Sequence, residues 1–172
     1  MRIKWDEIPE GGLSFSIEDG SWIPGNEIVC QGPGACTVSL EKDGRRVLLA
    51  GTLHLPVVLE CDRCLESFSH TLNEEFEVVF ELFAKEEKAG IASEHLCKGA
   101  DLDVVYLDEP VVDVFSVLAQ QVFLGLPEKR LCGEKCLGLC PECGANLNSC
   151  PCGCAKDTSA SPFAVLAKLK AH

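Results

Sequence analysis

The sequence has no apolar run approaching the ~18 residues needed to cross a bilayer, so no membrane span is expected. The segment from Met1 to Glu7 has no apolar stretch of the kind that heads a secretory signal, which makes the cytoplasm the expected compartment. Histidine is scarce. The four present, His54, His70, His95 and His172, are scattered, and none falls between 95 and 172. No nucleophile–base pair, Gly-rich phosphate loop or carboxylate pair is recognisable, so no catalytic site is expected. Positive charge is also short: 15 Lys and Arg stand against 27 Asp and Glu, a net charge of −12.

That deficit is uneven. Residues 1–126 carry 9 basic and 23 acidic side chains, net −14, whereas residues 127–172 carry 6 and 4, net +2. A body this acidic repels a phosphate backbone, so a broad nucleic-acid grip is disfavoured and a basic protein partner fits better. The segment from Glu74 to Asp113 is the extreme, with twelve acids and three bases.

What the chain does have is enough apolar material for a core: 172 residues, 47% hydrophobic and 24% charged. Leu13, Phe15 and Ile17 alternate with serines, and Ala35 to Glu41 is a second candidate strand. Asp43-Gly44 marks a tight hairpin. Beyond it Leu49, Gly51, Leu53, Leu55, Val57 and Leu59 share one face by period-two counting, with Pro56 implying an edge or a bulge. After a CxxC turn the alternation resumes. Phe68, Leu72, Phe76, Val78 and Phe80 face one way; Ser69, Thr71, Asn73, Glu75 and Glu77 face the other.

Residues 84–100 read as a surface loop, and Leu102, Val104 and Tyr106 as an added strand. A helix is expected near 108–123, capped by Asp108 with Pro110 in its first turn and stopped by Gly125 and Pro127. Residues 161–170 suggest a short helix too small to stand alone, which must dock on something. The expected fold class is α+β. An acidic body over 1–126, an antiparallel β-sheet or open barrel with one packed helix, precedes a Cys-rich, zinc-stapled tail over 127–172 with a docked helix.

The chain has twelve cysteines, and a reducing compartment argues against a disulfide framework. Seven of them crowd into 23 residues: Cys132, Cys136, Cys140, Cys143, Cys150, Cys152 and Cys154. Cys140-Pro141-Glu142-Cys143-Gly144 has the form of a zinc knuckle, two thiolates on a tight turn that glycine frees to curl. A tetrahedral Zn²⁺ needs a second pair, and both Cys152/Cys154 and Cys132/Cys136 qualify. One ion per chain is expected. An all-cysteine site is closed, so this zinc is expected to be structural and to stand in for a core that the tail lacks. An iron–sulfur cluster is the other all-cysteine option.

Cys61-Asp62-Arg63-Cys64 is a separate case. Arg63 would favour a thiolate, as in a redox turn, but a thioredoxin-like motif opens a helix and this one joins two strands. A structural turn, or a knuckle sharing metal with Cys140 and Cys143, fits better. Cys30, Cys36 and Cys97 are expected to be ordinary thiols.

Taken in order, several pieces form one pattern. They are Cys61-Asp-Arg-Cys64-Leu65, an acidic strand, Asp101-Leu-Asp103 before the helix, and Leu126-Pro127. Then come Cys136-Leu-Gly-Leu-Cys140-Pro-x-Cys143-Gly-x-Asn146-Leu-Asn148, a closing Cys152-x-Cys154, and Pro162-Phe-Ala-Val-Leu. From about residue 12 to 170 this resembles the bacterial YceD family, the large ribosomal RNA subunit accumulation proteins. The resemblance implies a non-enzymatic role in 23S rRNA accumulation or processing and large-subunit assembly. It also implies that Cys150 is an extra beside the closing Cys-x-Cys. With the charge arithmetic, the implied partner is a basic ribosomal protein or pre-ribosomal particle, with rRNA reached through the slightly basic tail. The alternative from another class is a thiol–disulfide oxidoreductase using Cys61 and Cys64.

Overall fold

The computed structural model describes residues 1–24, 28–82 and 104–154. The 84–100 loop, Leu102, Cys97 and the helix expected over 161–170 lie outside the described residues. The chain divides into two compact units: Met1–Leu59 with Phe68–Glu128, and Glu60–Ser67 with the chain from Lys129 onward. The second unit thus takes eight residues from mid-chain.

The first unit is built on long strands. In chain order these are β1 (Arg2–Lys4), β2 (Leu13–Ile17), β3 (Val29–Cys30), β4 (Ala35–Asp43), β5 (Arg46–Glu60), β6 (Ser67–Leu82), β7 (Val104–Leu107) and β8 (Val111–Asp113), followed by α1 (Val114–Leu124). Six strands form one sheet in the order β2-β4-β5-β6-β7, with β3 also paired to β5, while β1 and β8 form a separate two-stranded sheet. β4 and β5 make the expected hairpin in the register Asp43↔Arg46, and Gly44 supplies the positive φ of 56° that its two-residue turn requires. Pro56 falls where β5 changes partner, between His54 paired with β4 and Val57 paired with β3. Its missing N–H costs nothing there, and its carbonyl accepts from the Gln31 N–H at 2.9 Å.

Period two decides burial along these strands. Val47, Leu49, Leu53, Leu55, Val57 and Leu59 of β5 are all buried. Leu72, Phe76 and Phe80 of β6 join them in one cluster with Val38 and Leu40 of β4. The Phe76 ring lies against Gly51, where an added Cβ would sit 2.8 Å from the ring and 2.6 Å from the Thr37 carbonyl oxygen. The residues on the other face of β6, Ser69, Thr71, Asn73, Glu75 and Glu77, are exposed.

Two expectations change. β7 pairs with β6 in parallel, Val79↔Val104 to Leu82↔Leu107, so the sheet is mixed at this edge and not wholly antiparallel. The helix expected near 108–123 begins at Val114. Residues 111–113 instead pair antiparallel with β1, and the Pro110 carbonyl accepts from the Trp5 N–H at 3.0 Å. The cap is Asp113, not Asp108: its carboxylate accepts from the Ser116 N–H. From there the helix buries Val114, Val117, Leu118 and Val122 in the same core as the sheet. Among the described residues no helix is long and apolar enough to cross a membrane.

Candidate metal centres

The second unit has few apolar residues, and its order comes from turns around cysteine. Two of these turns share one backbone design. In Cys140–Gly144 the Gly144 N–H donates to the Cys140 carbonyl at 2.9 Å, and the Cys140 N–H donates to the Ala145 carbonyl at 2.8 Å. In Cys61–Leu65 the Leu65 N–H donates to the Cys61 carbonyl at 2.9 Å, and the Cys61 N–H to the Glu66 carbonyl at 3.0 Å. The residue after the second cysteine is left-handed in both, with φ 72° at Gly144 and 61° at Leu65. Glycine takes that conformation freely. Leu65 is the one non-glycine with positive φ among the described residues, and the residue is 57% exposed. Cys61-Asp-Arg-Cys64 is therefore a metal-type knuckle in its backbone, although the sequence hides this behind a leucine.

The eight cysteines of these turns and their neighbours close into two groups of four. Cys61, Cys64, Cys132 and Cys136 form the first, and Cys140, Cys143, Cys152 and Cys154 the second; within each, all four sulfurs lie within 4.8 Å of one another. In the first, Cys61 Sγ is 3.8 Å from Cys136 Sγ and Cys64 Sγ is 3.6 Å from Cys132 Sγ. Each group could hold one metal ion. The open choice of partner for Cys140/Cys143 thus falls to Cys152/Cys154. Cys132 and Cys136 go to Cys61 and Cys64, which do not share a site with Cys140 and Cys143. One expected ion becomes two possible sites. Cys150 belongs to neither group, and Cys30 and Cys36 lie in the sheet.

The first centre joins segments far apart in sequence, and a set of polar contacts aligns them. The Asp62 N–H donates to the Arg130 carbonyl at 2.8 Å, and the Arg130 N–H returns to the Asp62 carboxylate at 2.8 Å. The Arg63 guanidinium donates to the Cys136 carbonyl at 3.0 Å, and the Leu139 N–H donates to the Arg63 carbonyl at 3.0 Å. Arg63 thus anchors a ligand-bearing turn. Gly138, at φ 75°, lets the backbones meet; an added Cβ would lie 2.9 Å from the Arg63 carbonyl oxygen.

In the sequence Asn146 and Asn148 stand out only as part of the cysteine motif. Asn148 accepts from the Leu137 N–H at 2.8 Å and places its amide 3.4 Å from Cys136 Sγ. Asn146 accepts from the Asn148 N–H at 3.0 Å and donates to Glu66 at 3.2 Å. A polar residue bonded to a ligand sulfur leaves no periodic signal; only its place within a cysteine-rich turn could have pointed to it.

Charge is distributed within each group by amide dipoles and by crowding. The backbone N–H of Cys132, helped by those of Arg63 and Cys64, lowers Cys61 to about 6. The N–H groups of Cys143 and Glu142 lower Cys140 to about 6. The Asn148 amide lowers Cys136. In contrast, the Cys136 thiol drives Cys132 up to about 12 and the Cys143 thiol drives Cys154 up to about 12. Each group so prepares thiolates yet cannot hold four of them side by side. A bound divalent cation removes that conflict.

A family model described as large ribosomal RNA subunit accumulation protein YceD matches residues 49–170. The chain belongs to the YceD family. The matched region contains all eight cysteines of the two groups. An uncharacterised protein of Mycobacterium tuberculosis is 31% identical over 148 residues, covering 81% of this chain and 67% of its own. Its counterpart in Mycobacterium bovis matches to the same extent. A chloroplastic large ribosomal RNA subunit accumulation protein YCED homolog 1 of Zea mays is 27% identical over 142 residues, 70% of this chain and 48% of the maize protein. No solved structure matches the chain.

Proposed function

We propose that this YceD-family chain is a non-enzymatic, cytoplasmic factor that supports accumulation and processing of 23S rRNA during large-subunit assembly. The observation that carries this reading is the family match over residues 49–170, spanning both four-cysteine groups. Those groups are closed sets of sulfur donors, which suits metal held for structure rather than metal with an open catalytic position. The same grouping weighs against the thiol–disulfide oxidoreductase, because Cys61 and Cys64 share their turn's chemistry with two further thiols.

The metal that suits these centres best is zinc. Sulfurs bound at ~2.3 Å around one tetrahedral ion stand about 3.8 Å apart; two sulfur pairs of the first centre stand 3.8 and 3.6 Å apart, and in both groups all four sulfurs lie within 4.8 Å of one another. An iron–sulfur cluster separates its thiolates further, because several irons and sulfides lie between them.

The partner is a basic ribosomal protein or pre-ribosomal particle, met by the acidic outer face of the sheet. Of the glutamates of β6, Glu75 and Glu77 are exposed there and border an open groove of about 520 Å³ with Thr37, Ser39 and Thr52. Glu81 is engaged by Arg46 at 2.8 Å, and Glu74 is half-buried against Gly125. Glu75→Gln with Glu77→Gln should therefore slow association more than it speeds dissociation, an effect that fades as salt is raised. The deciding experiment is depletion and complementation in cells, read as the ratio of large- to small-subunit rRNA. The ratio should fall on depletion. An unchanged ratio, with growth defects only under oxidative stress, overturns the reading in favour of the oxidoreductase.

A further inference from the structure

The two centres differ in almost every property that governs how readily a bound ion leaves. Resting on the zinc reading above, we propose that the chain holds two zinc ions of unequal lability. The ion at Cys61, Cys64, Cys132 and Cys136 is retained, and the ion at Cys140, Cys143, Cys152 and Cys154 is exchangeable.

Burial is the first ground. Cys61, Cys64 and Cys136 are buried, which leaves Cys132 as the exposed member of its group. In the other group Cys140 alone is buried; Cys143 and Cys154 are exposed and Cys152 is intermediate. An incoming chelator must reach the metal or a ligand sulfur, and it has several approaches to the second centre.

Span is the second ground. The first centre links sulfurs from Cys61 to Cys136, 75 positions apart, while Cys140 to Cys154 is one local segment. Opening the first requires parting two chain segments held by the reciprocal Asp62–Arg130 bonds, the Arg63 clamp on the Cys136 carbonyl and the Leu139–Arg63 bond. Among the described residues, opening the second requires only that 150–154 peel away. Local openings of exposed segments are far more frequent than openings of cross-linked, buried ones.

The third ground is the hydrogen bond from the Asn148 amide to Cys136 Sγ at 3.4 Å, a contact that orients a ligand and disperses its negative charge. The structure therefore combines a clamp that defines the unit with a second site open to ligand exchange.

The test uses the full chain loaded with zinc, challenged with a chromogenic chelator. Two ions should be released in two phases whose rate constants differ by about tenfold or more, since the slow ion waits on a rarer opening. Cys143→Ser should remove the fast phase and leave the slow one. Cys64→Ser should remove the slow phase. In case that variant fails to fold, the unsubstituted chain supplies a second reading: thiol alkylation during release, mapped by mass spectrometry, should mark Cys143, Cys152 and Cys154 before Cys61 and Cys64. Single-phase release of two ions, or first labelling at Cys61 and Cys64, overturns the proposal while leaving zinc binding intact. A folded chain with no zinc overturns the zinc reading itself, and this inference with it.

Discussion

Three glycines of the cysteine-rich unit differ in ways that assign each a distinct cost on substitution by alanine, with every ligand left in place. Gly133 lacks a positive φ, and nothing lies within 4 Å of an added Cβ. Gly144 has φ 72° with the same open space. Gly138 has φ 75°, and its Cβ would meet the Arg63 carbonyl oxygen at 2.9 Å and Arg63 Cβ at 3.3 Å. A left-handed backbone costs an L-residue about 1–2 kcal/mol, and forcing a carbon into an occupied site adds about 1–3 kcal/mol. The Arg63 carbonyl cannot step aside cheaply, because it accepts from the Leu139 N–H at 3.0 Å. Gly133→Ala should then change stability by less than about 0.5 kcal/mol, and Gly144→Ala should destabilise by about 1–2 kcal/mol. Gly138→Ala should destabilise by about 2–5 kcal/mol. The assay is urea titration of the zinc-loaded chain, following protease cleavage within residues 129–154. Gly138→Ala no worse than Gly144→Ala would refute the close approach of these two backbones. A costly Gly133→Ala would refute the assignment of open space.

Elsewhere, Gly51→Ala should destabilise the sheet by about 1–3 kcal/mol, because its Cβ would press on the Thr37 carbonyl and the Phe76 ring. Thermal melts should show partial rescue by Phe76→Leu, since the ring can be trimmed and the carbonyl cannot. Leu118→Ala, at a fully buried position, should cost about 2–5 kcal/mol in the same melts, and a loss under 1 kcal/mol would contradict the packing described. Asp113→Ala should cost about 0.5–2 kcal/mol and fray the start of α1 in hydrogen exchange; Asp108→Ala should leave those amides unchanged. Acid should weaken metal binding. Folding lowers Cys61 and Cys140 from 9.0 to about 6, so the stability that their thiolates contribute to the metal-free fold is present in full above 9.0 and is lost as pH falls through about 6. Zinc competes with protons for these sulfurs, so its affinity, read by competition with a chelator of known strength, should fall more steeply with pH below about 6 than above it; an affinity independent of pH across that value would count against thiolate ligation.

What the sequence determined by itself is whatever depends on near neighbours. The alternation of Leu49, Leu53, Leu55, Val57 and Leu59 sets one face of a strand to the core, because successive side chains point oppositely whatever the partner strand is. Asp43-Gly44 makes its own turn, and Cys140-Pro-Glu-Cys143-Gly144 makes its own knuckle, through bonds that span five residues or fewer. Tertiary structure decided what depends on contacts across the chain. The start of α1 is displaced to Val114 because residues 111–113 are claimed by a strand some 110 positions earlier, and no local propensity records that pairing. β7 lies parallel to β6 for the same kind of reason. The division of eight cysteines into two fours could not be read from spacing, since Cys132/Cys136 and Cys152/Cys154 are equally able pairs for Cys140/Cys143. Arg63, Asp62 and Gly138 settle it by bringing the 60–67 turn against residues 130–139. Leu65 is a local case that the residue type disguises. Its side chain argues against a left-handed turn, and the hydrogen bonds of the folded knuckle impose one.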